Sequence, residues 1–383
     1  MSVTSAAGFS AAGVTAGIKP SGKPDLALVV NNGPHYAAAG VFTANRVKAA
    51  PVLWSQPVVA DGIVRAVVLN AGNANACTGS RGFQDTHRTA ETVAEQLDVS
   101  AADVAVCSTG LIGEYLPIDD LLAAVPTAVG QLTDDGGPAA AAAIMTTDTR
   151  PKNAAVQADG YTVGGMAKGA GMLAPALATM LVVITTDAVA DADTLERALG
   201  AAARTTFERV DSDGCLSTND TVLLLASGAS GVAPSEDELA GHVTTVCATL
   251  ARELVADAEG ASKDIRIDVV DAASEADALE VGRAVARSAL LKCAIHGEDP
   301  NWGRVLSAVG TTGAVFEPDE LAVAVGGVWV CREGARGEDR AKVDMSGREV
   351  TITVSLSAGE DSATVWTNDL TAAYVHENSA YST

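Results

Sequence analysis

Basic residues are scarce in this chain: 25 Lys and Arg stand against 48 Asp and Glu, a formal charge of −23 over 383 residues. That balance argues against a nucleic-acid partner and against docking on a membrane, since both need a basic face. Paired cysteines are missing too. Cys77, Cys107, Cys215, Cys247, Cys293 and Cys331 are scattered without a C-x-x-C spacing. This is neither a disulfide framework nor a zinc site, and it predicts reduced thiols in a cytoplasmic protein. His35, His87, His242, His296 and His376 show no paired spacing, so neither a metal nor a Ser–His triad is suggested; convergence in space stays open. No apolar run approaches the roughly 18 residues of a membrane span. The start, Met1-Ser-Val-Thr-Ser-Ala-Ala-Gly8, has no basic or apolar signal region, so no signal peptide is expected. Gly17-Ile-Lys-Pro-Ser-Gly22-Lys23 mimics a phosphate loop, but Pro24 stands where Ser or Thr should follow. No dinucleotide fingerprint lies between a strand and a helix. No cofactor is expected.

What is present is a long, apolar, mixed chain. Hydrophobic residues make up 48%, and the length predicts two domains or one large layered domain. Short apolar runs at 26–30, 37–42 and 63–69 read as buried strands, and 100–106 leads into Cys107-Ser-Thr109-Gly110. Residues 138–145 are alanine-rich and favour a helix. Asp193 with Glu196 resembles a capping box for a helix bearing Leu195 and Leu199. Ser235 and Glu238 cap a longer helix, with Leu239, Val243, Val246, Cys247, Leu250 and Leu254 at helical spacing and Gly260 as its stop. Ile265, Ile267 and Val269 alternate as a strand; 274–295 reads as one helix. The runs 321–331, 350–356 and 363–366 read as strands. The pattern predicts a mixed α/β or α+β fold with layered sheets.

The most informative stretch is Lys168-Gly-Ala-Gly-Met-Leu-Ala-Pro175-Ala-Leu-Ala178-Thr179-Met-Leu-Val-Val-Ile184. A glycine-rich loop runs straight into an apolar strand, with a threonine behind a small alanine at the join. As bare composition this is an ordinary loop-to-strand join. It also suits self-cleavage: the Thr179 hydroxyl attacks the Ala178 carbonyl, and hydrolysis of the ester frees Thr179 as a new N-terminus. Its α-amine, of reference pKa about 7.7–8.0, could then serve as base for its own hydroxyl. Acyl transfer also needs oxyanion donors, and Thr109 with Gly110 offers a hydroxyl beside a residue whose N–H can be closely approached; read alone, Ser-Thr-Gly is a turn. Glu259, at the C-terminal end of the long helix, stands where the helix dipole disfavours a carboxylate, although Asp257 weakens that argument.

The run around Thr179 resembles the cleavage segment of the ornithine acetyltransferases, the bifunctional glutamate N-acetyltransferases of arginine biosynthesis. The likeness spans nearly the whole chain, from Gly13-Val-Thr-Ala-Gly-Ile-Lys19 to His376-Glu-Asn-Ser-Ala-Tyr-Ser-Thr383, and includes Asn70–Gly79 and Gly297–Arg304. It implies a layered αββα sandwich like that of the self-processing N-terminal-nucleophile amidohydrolases, over 1–270, with a smaller C-terminal α/β domain over 271–383. Cleavage would give chains 1–178 and 179–383, assembling as a dimer of the two-chain unit. Thr179 would be the nucleophile, and Thr109 and Gly110 the oxyanion hole. Thr146 (Thr147 is the near alternative), Lys168, Thr179, Glu259, Asn378 and Thr383 would bind substrate, the last two by return of the tail to the site. Acetyl would pass from N-acetylornithine to glutamate by a ping-pong route without a metal. Members differ on acetyl-CoA as a second donor. Two other readings stand beside this one: an aminopeptidase-like N-terminal threonine hydrolase, and an uncleaved binding protein.

Overall fold

Strand Leu26–Asn31 is buried along its whole length, yet its side chains go two ways. Ala27 and Val29 enter one apolar cluster, while Leu26, Leu28 and Val30 enter another. A strand covered on both faces reads as a continuous apolar run. The computed structural model describes residues 1–171 and 180–380. Of these, 1–208 and 215–257 form a first unit, and 209–214 with 258–380 form a second.

The first unit is built on two sheets. One runs β1 (Phe9–Val14), β2 (Leu26–Asn31), β4 (Ala66–Asn73), β5 (Val104–Leu111); the other runs β3 (Ala37–Phe42), β9 (Thr221–Ala226), β8 (Leu181–Thr186), β7 (Thr162–Lys168), β6 (Lys152–Gln157). β4 pairs with β5, and β8 with β9, in parallel; the other neighbours are antiparallel. Val67, Leu69 and Ala105 of the first sheet meet Leu181, Val183, Leu223 and Leu225 of the second in one core. The residues between them, Val68, Val104 and Val106, pack with helices α2 (Gly79–Leu97) and α3 (Ile118–Gly130). α1 (Ala50–Val59) and α4 (Gly137–Ala143) add Val58, Val59, Ala140 and Ala141 to the shared core. Gly165 of β7 lies against Val246 and Leu250 of α6 (Glu236–Ala256), whose neighbour is α5 (Ala192–Thr205). The layers run α, β, β, α, as the resemblance implied.

The second unit has its own sheet, ordered β13 (Ala335–Arg336), β12 (Val328–Arg332), β11 (Ala322–Val325), β14 (Glu349–Ser355), β10 (Asp264–Ala272), β15 (Asp361–Asn368). Ile265, Ile267 and Val269 alternate inward, packing with Ala278, Val281 and Val285 of α7 (Glu275–Ala286). α8 (Ala289–His296), α9 (Trp302–Val309) and α10 (Ala372–Ala380) complete it.

Several local expectations change. The helix expected over 274–295 is two, because Ser288 accepts the Leu291 N–H at 3.3 Å and starts α8 afresh. The strand expected over 321–331 is a hairpin turning at Gly326 and Gly327, whose φ of 57° and 82° only glycine adopts readily. The strand expected at 63–69 begins at Ala66 and runs on to Asn73. Asp191, not Asp193, caps α5, accepting the Thr194 N–H at 2.8 Å. The capping box at Ser235 and Glu238 forms as expected, but α6 ends at Ala256 with Asp257 as its cap, before Gly260. Leu225 is fully buried between the sheets, so Leu225→Ala should lower the unfolding free energy by about 2–5 kcal/mol, read from urea denaturation.

Candidate active site

At the end of β5, Gly110 lies opposite Gly72 of β4 with φ 130°, and a Cβ on it would stand 2.3 Å from the Gly72 carbonyl carbon. That approach admits only glycine. Thr109 beside it is buried, and its hydroxyl oxygen accepts from Lys168 Nζ at 3.3 Å. With a lone pair taken by the ammonium, the hydroxyl proton is left to be donated elsewhere.

Lys168 ends β7, opposite Leu181 at the start of β8, two residues after Thr179. It is 2% exposed. Its ammonium donates to the Thr146 hydroxyl at 2.7 Å; Thr146, rather than Thr147, supplies this contact. A buried cation must be compensated, and the Asp148 carboxylate stands 3.9 Å away. Asp148 in turn accepts from Lys152 Nζ at 2.6 Å, from the Gly169 N–H at 2.7 Å and from the Thr146 N–H at 2.9 Å. Lys152 also reaches Asp257 at 2.5 Å, and Asp257 accepts the N–H and hydroxyl of Thr149. Two buried ammonium groups thus face two buried carboxylates. Burial pushes the Asp148 carboxyl up, but the charges of Lys168 and Lys152 and the hydrogen bonds from Lys152 and Gly169 outweigh it and bring it to about 2.

Asp148, Lys152 and Asp257 were not singled out from sequence as parts of the site. Asp257, not Glu259, occupies the end of α6, and its lysine partner offsets the dipole there. Lys19 also belongs to these surroundings. Its Nζ donates to the carbonyls of Pro24 at 2.6 Å and Ala143 at 2.9 Å, and its stem lies where a side chain on Gly72 would go. Burial, with repulsion from Lys168, lowers the Lys19 ammonium to about 8 against the pull of Asp25.

Thr109, Gly110, Thr146 and Lys168 therefore converge in the first unit. Glu259 and Asn378 belong to the second, where Asn378 Nδ2 donates to the Glu259 carboxylate at 3.1 Å. Gly260 makes this contact feasible: a Cβ on it would stand 2.2 Å from the Tyr374 nitrogen at the start of α10. Glu259 lines a cavity of about 290 Å³ with Asp213, Arg287, Lys292 and Tyr374. Lys292 is buried there, donating to the Ser212 carbonyl, and burial lowers its ammonium below the usual lysine range. Ala178, Thr179 and Thr383 lie outside the described residues. Among those described, no helix is long and apolar enough to cross a membrane.

Removing Asp148 leaves two buried ammonium groups against one carboxylate. Asp148→Ala should cost about 3–5 kcal/mol of stability, measured by denaturant unfolding. Because the folded pKa is depressed to about 2, below the ordinary 3.8, the stability from Asp148 is complete above roughly pH 4. It should fade as pH falls from there towards 2, and a wild-type unfolding midpoint unmoved across that window would contradict the assignment.

The model of the ArgJ family matches residues 10–383. The arginine biosynthesis bifunctional protein ArgJ of Streptomyces avermitilis is 69% identical over 382 residues, covering 100% of both chains. That of Thermobifida fusca is 64% identical over 383 residues, again covering 100% of both. Among solved structures, the ornithine acetyltransferase of Mycobacterium tuberculosis complexed with ornithine shares 60% identity, covering 47% of this chain and 96% of that one, with a TM-score of 0.45. By full-length identity and by family model, the chain belongs to the ArgJ family, the bifunctional acetyltransferases of arginine biosynthesis.

Proposed function

We propose that the chain cuts itself between Ala178 and Thr179 and then carries acetyl from N2-acetyl-L-ornithine to L-glutamate on the Thr179 hydroxyl. The observation that carries this reading is the buried ammonium of Lys168, which lies on the strand paired with β8 opposite Leu181 and donates to the hydroxyls of Thr109 and Thr146. In processing, Thr179 Oγ1 bonds to the Ala178 carbonyl carbon, the Ala178–Thr179 C–N bond breaks, and water hydrolyses the ester. The products are a carboxylate on Ala178 and an α-amine on Thr179. A cation beside that amine would lower its pKa from the reference of about 7.7–8.0 and keep it a free base near neutrality, the role this reading gives to Lys168, which lies on β7 opposite Leu181.

In turnover the amine takes the hydroxyl proton as Oγ1 attacks the acetyl carbonyl of N-acetylornithine. The oxyanion takes hydrogen bonds from the Thr109 hydroxyl and the Gly110 N–H, each worth about 2.7–4 kcal/mol of transition-state stabilisation. Collapse expels ornithine, its nitrogen receiving the proton held by the α-amine. The glutamate amine then attacks acetyl-Thr179, giving N-acetylglutamate and the free hydroxyl. Lys168 and Thr146 suit a substrate carboxylate and polar backbone; Glu259, with Asn378 beside it, suits the ornithine side-chain ammonium. Thr383 is assigned to the same substrate. Acetyl-CoA is a second donor in this reading, the working form is a dimer of the two-chain unit, and scattered free cysteines favour the cytoplasm.

Two measurements test it. Intact mass spectrometry after incubation with N-acetylornithine should show the chain beginning at Thr179 heavier by one acetyl group. Thr179→Ala should show no gain and no transfer; transfer by that variant would contradict the mechanism, and release of free acetate without glutamate acetylation would favour the hydrolase instead. Deleting 378–383 should lower kcat/KM at least about 10-fold while shifting the melting temperature little. Unchanged kinetics would remove Asn378 and Thr383 from the site.

A further inference from the structure

The loop Ser217-Thr-Asn-Asp220, which enters β9, touches both parts of the reacting geometry. Asn219 Nδ2 donates to the carbonyl of Ser108 at 2.8 Å, the peptide group joining Ser108 to Thr109, and to the Ala74 carbonyl at 2.6 Å. The next residue, Asp220, accepts the Met180 N–H on Oδ1 at 3.1 Å. Thr221 N–H completes the hold, donating to the Met180 carbonyl at 3.2 Å. Thr43 anchors the loop, its N–H to the Asp220 carbonyl at 2.9 Å and its hydroxyl to the Ser217 carbonyl at 2.7 Å.

β5 and β8 lie in different sheets, so no hydrogen-bond ladder fixes one against the other. Side chains facing each other across an apolar core set spacing only loosely, whereas two hydrogen bonds from consecutive residues set it tightly. We propose that Asn219 and Asp220 are positioning residues, a clamp that sets the strand following Thr179 against the oxyanion segment Ser108–Gly110. This rests on Thr179 being the nucleophile. Once the upstream peptide bond is cut, the covalent chain continues from Thr179 only through Met180, and Met180 is held on both its N–H and its carbonyl by Asp220 and Thr221.

Asp220 is expensive to keep. It is fully buried, and its Oδ2 has no hydrogen-bond partner among the described residues. Burial pushes its carboxyl well above the usual carboxylate range. An apolar side chain would avoid that cost but could not accept the Met180 N–H. Since the hydrogen bond needs an acceptor rather than a charge, an amide can replace the carboxyl.

The test compares Asp220→Ala, Asp220→Asn and Asn219→Ala in acetyl transfer from N-acetylornithine to glutamate. A displacement near 1 Å at a reacting centre costs up to about 100-fold, so Asp220→Ala and Asn219→Ala should each lose about 10- to 100-fold in kcat with KM changed less than about 3-fold. Asp220→Asn should recover to within about 3-fold of wild type, its pH profile unmoved. The clamp is overturned if Asp220→Ala turns over normally, or if Asp220→Asn is no better than Asp220→Ala. Should Asp220→Ala fail to fold, Asn219→Ala gives the same readout, and normal kcat there overturns the clamp as well. Acetylation of wild-type Thr179 separates the two claims. If it is absent, the mechanism itself falls; if it is present while the variants behave normally, only the clamp does.

Discussion

A buried ammonium group has to be surrounded, and Lys168 imposes that demand on the whole first unit. Its charge, taken from water at the end of β7, is tolerable only beside Asp148, which is shared with Lys152, which is shared with Asp257. That chain of contacts ties the loop after α4, the start of β6 and the last turn of α6 into one network. The helix therefore ends over the sheet at the point where its carboxylate cap is needed. What the network gives in return is a cation held in one place, its donors directed to two hydroxyls on separate elements.

Much of this was legible in the chain. Continuous apolar runs such as 26–30 announced strands covered on both faces, and the Ser235–Glu238 pair announced the start of α6. Lys168 and Thr109-Gly110 stood out through the resemblance, since Ser-Thr-Gly read alone is a turn. The helices α1 to α3 were not legible. The buried face of α2 is Gly82, Asp85, Thr86, Thr89, Ala90, Val93 and Ala94, and with only Ala90, Val93 and Ala94 apolar it offers no run of large hydrophobic residues, although its polar and buried faces alternate at helical spacing. Prolines inside α1 and α3 also read as breaks. The carboxylates behind Lys168 escaped notice for another reason. Asp148 and Asp257 are far apart in the chain, and nothing local in an aspartate says that a lysine from another element will meet it.

Close backbone approaches explain the glycines that matter most here. Gly110 against Gly72 brings β5 and β4 together at the oxyanion segment, and Gly260 against Tyr374 lets α10 settle beside Glu259. In both cases a glycine with positive φ sits beside a residue assigned to the reaction. Space made by an absent side chain is used to bring a polar group into position. Such positions look like ordinary turns in sequence and become meaningful only when the opposing chain is known.

In the proposed mechanism, activity depends on a new amino terminus made within the polypeptide by its own hydroxyl chemistry. N-terminal sequencing of an active preparation tests this most directly. It should return a second sequence beginning Thr-Met-Leu-Val-Val beside that of the original start. Full activity with only the original start in evidence would contradict the account.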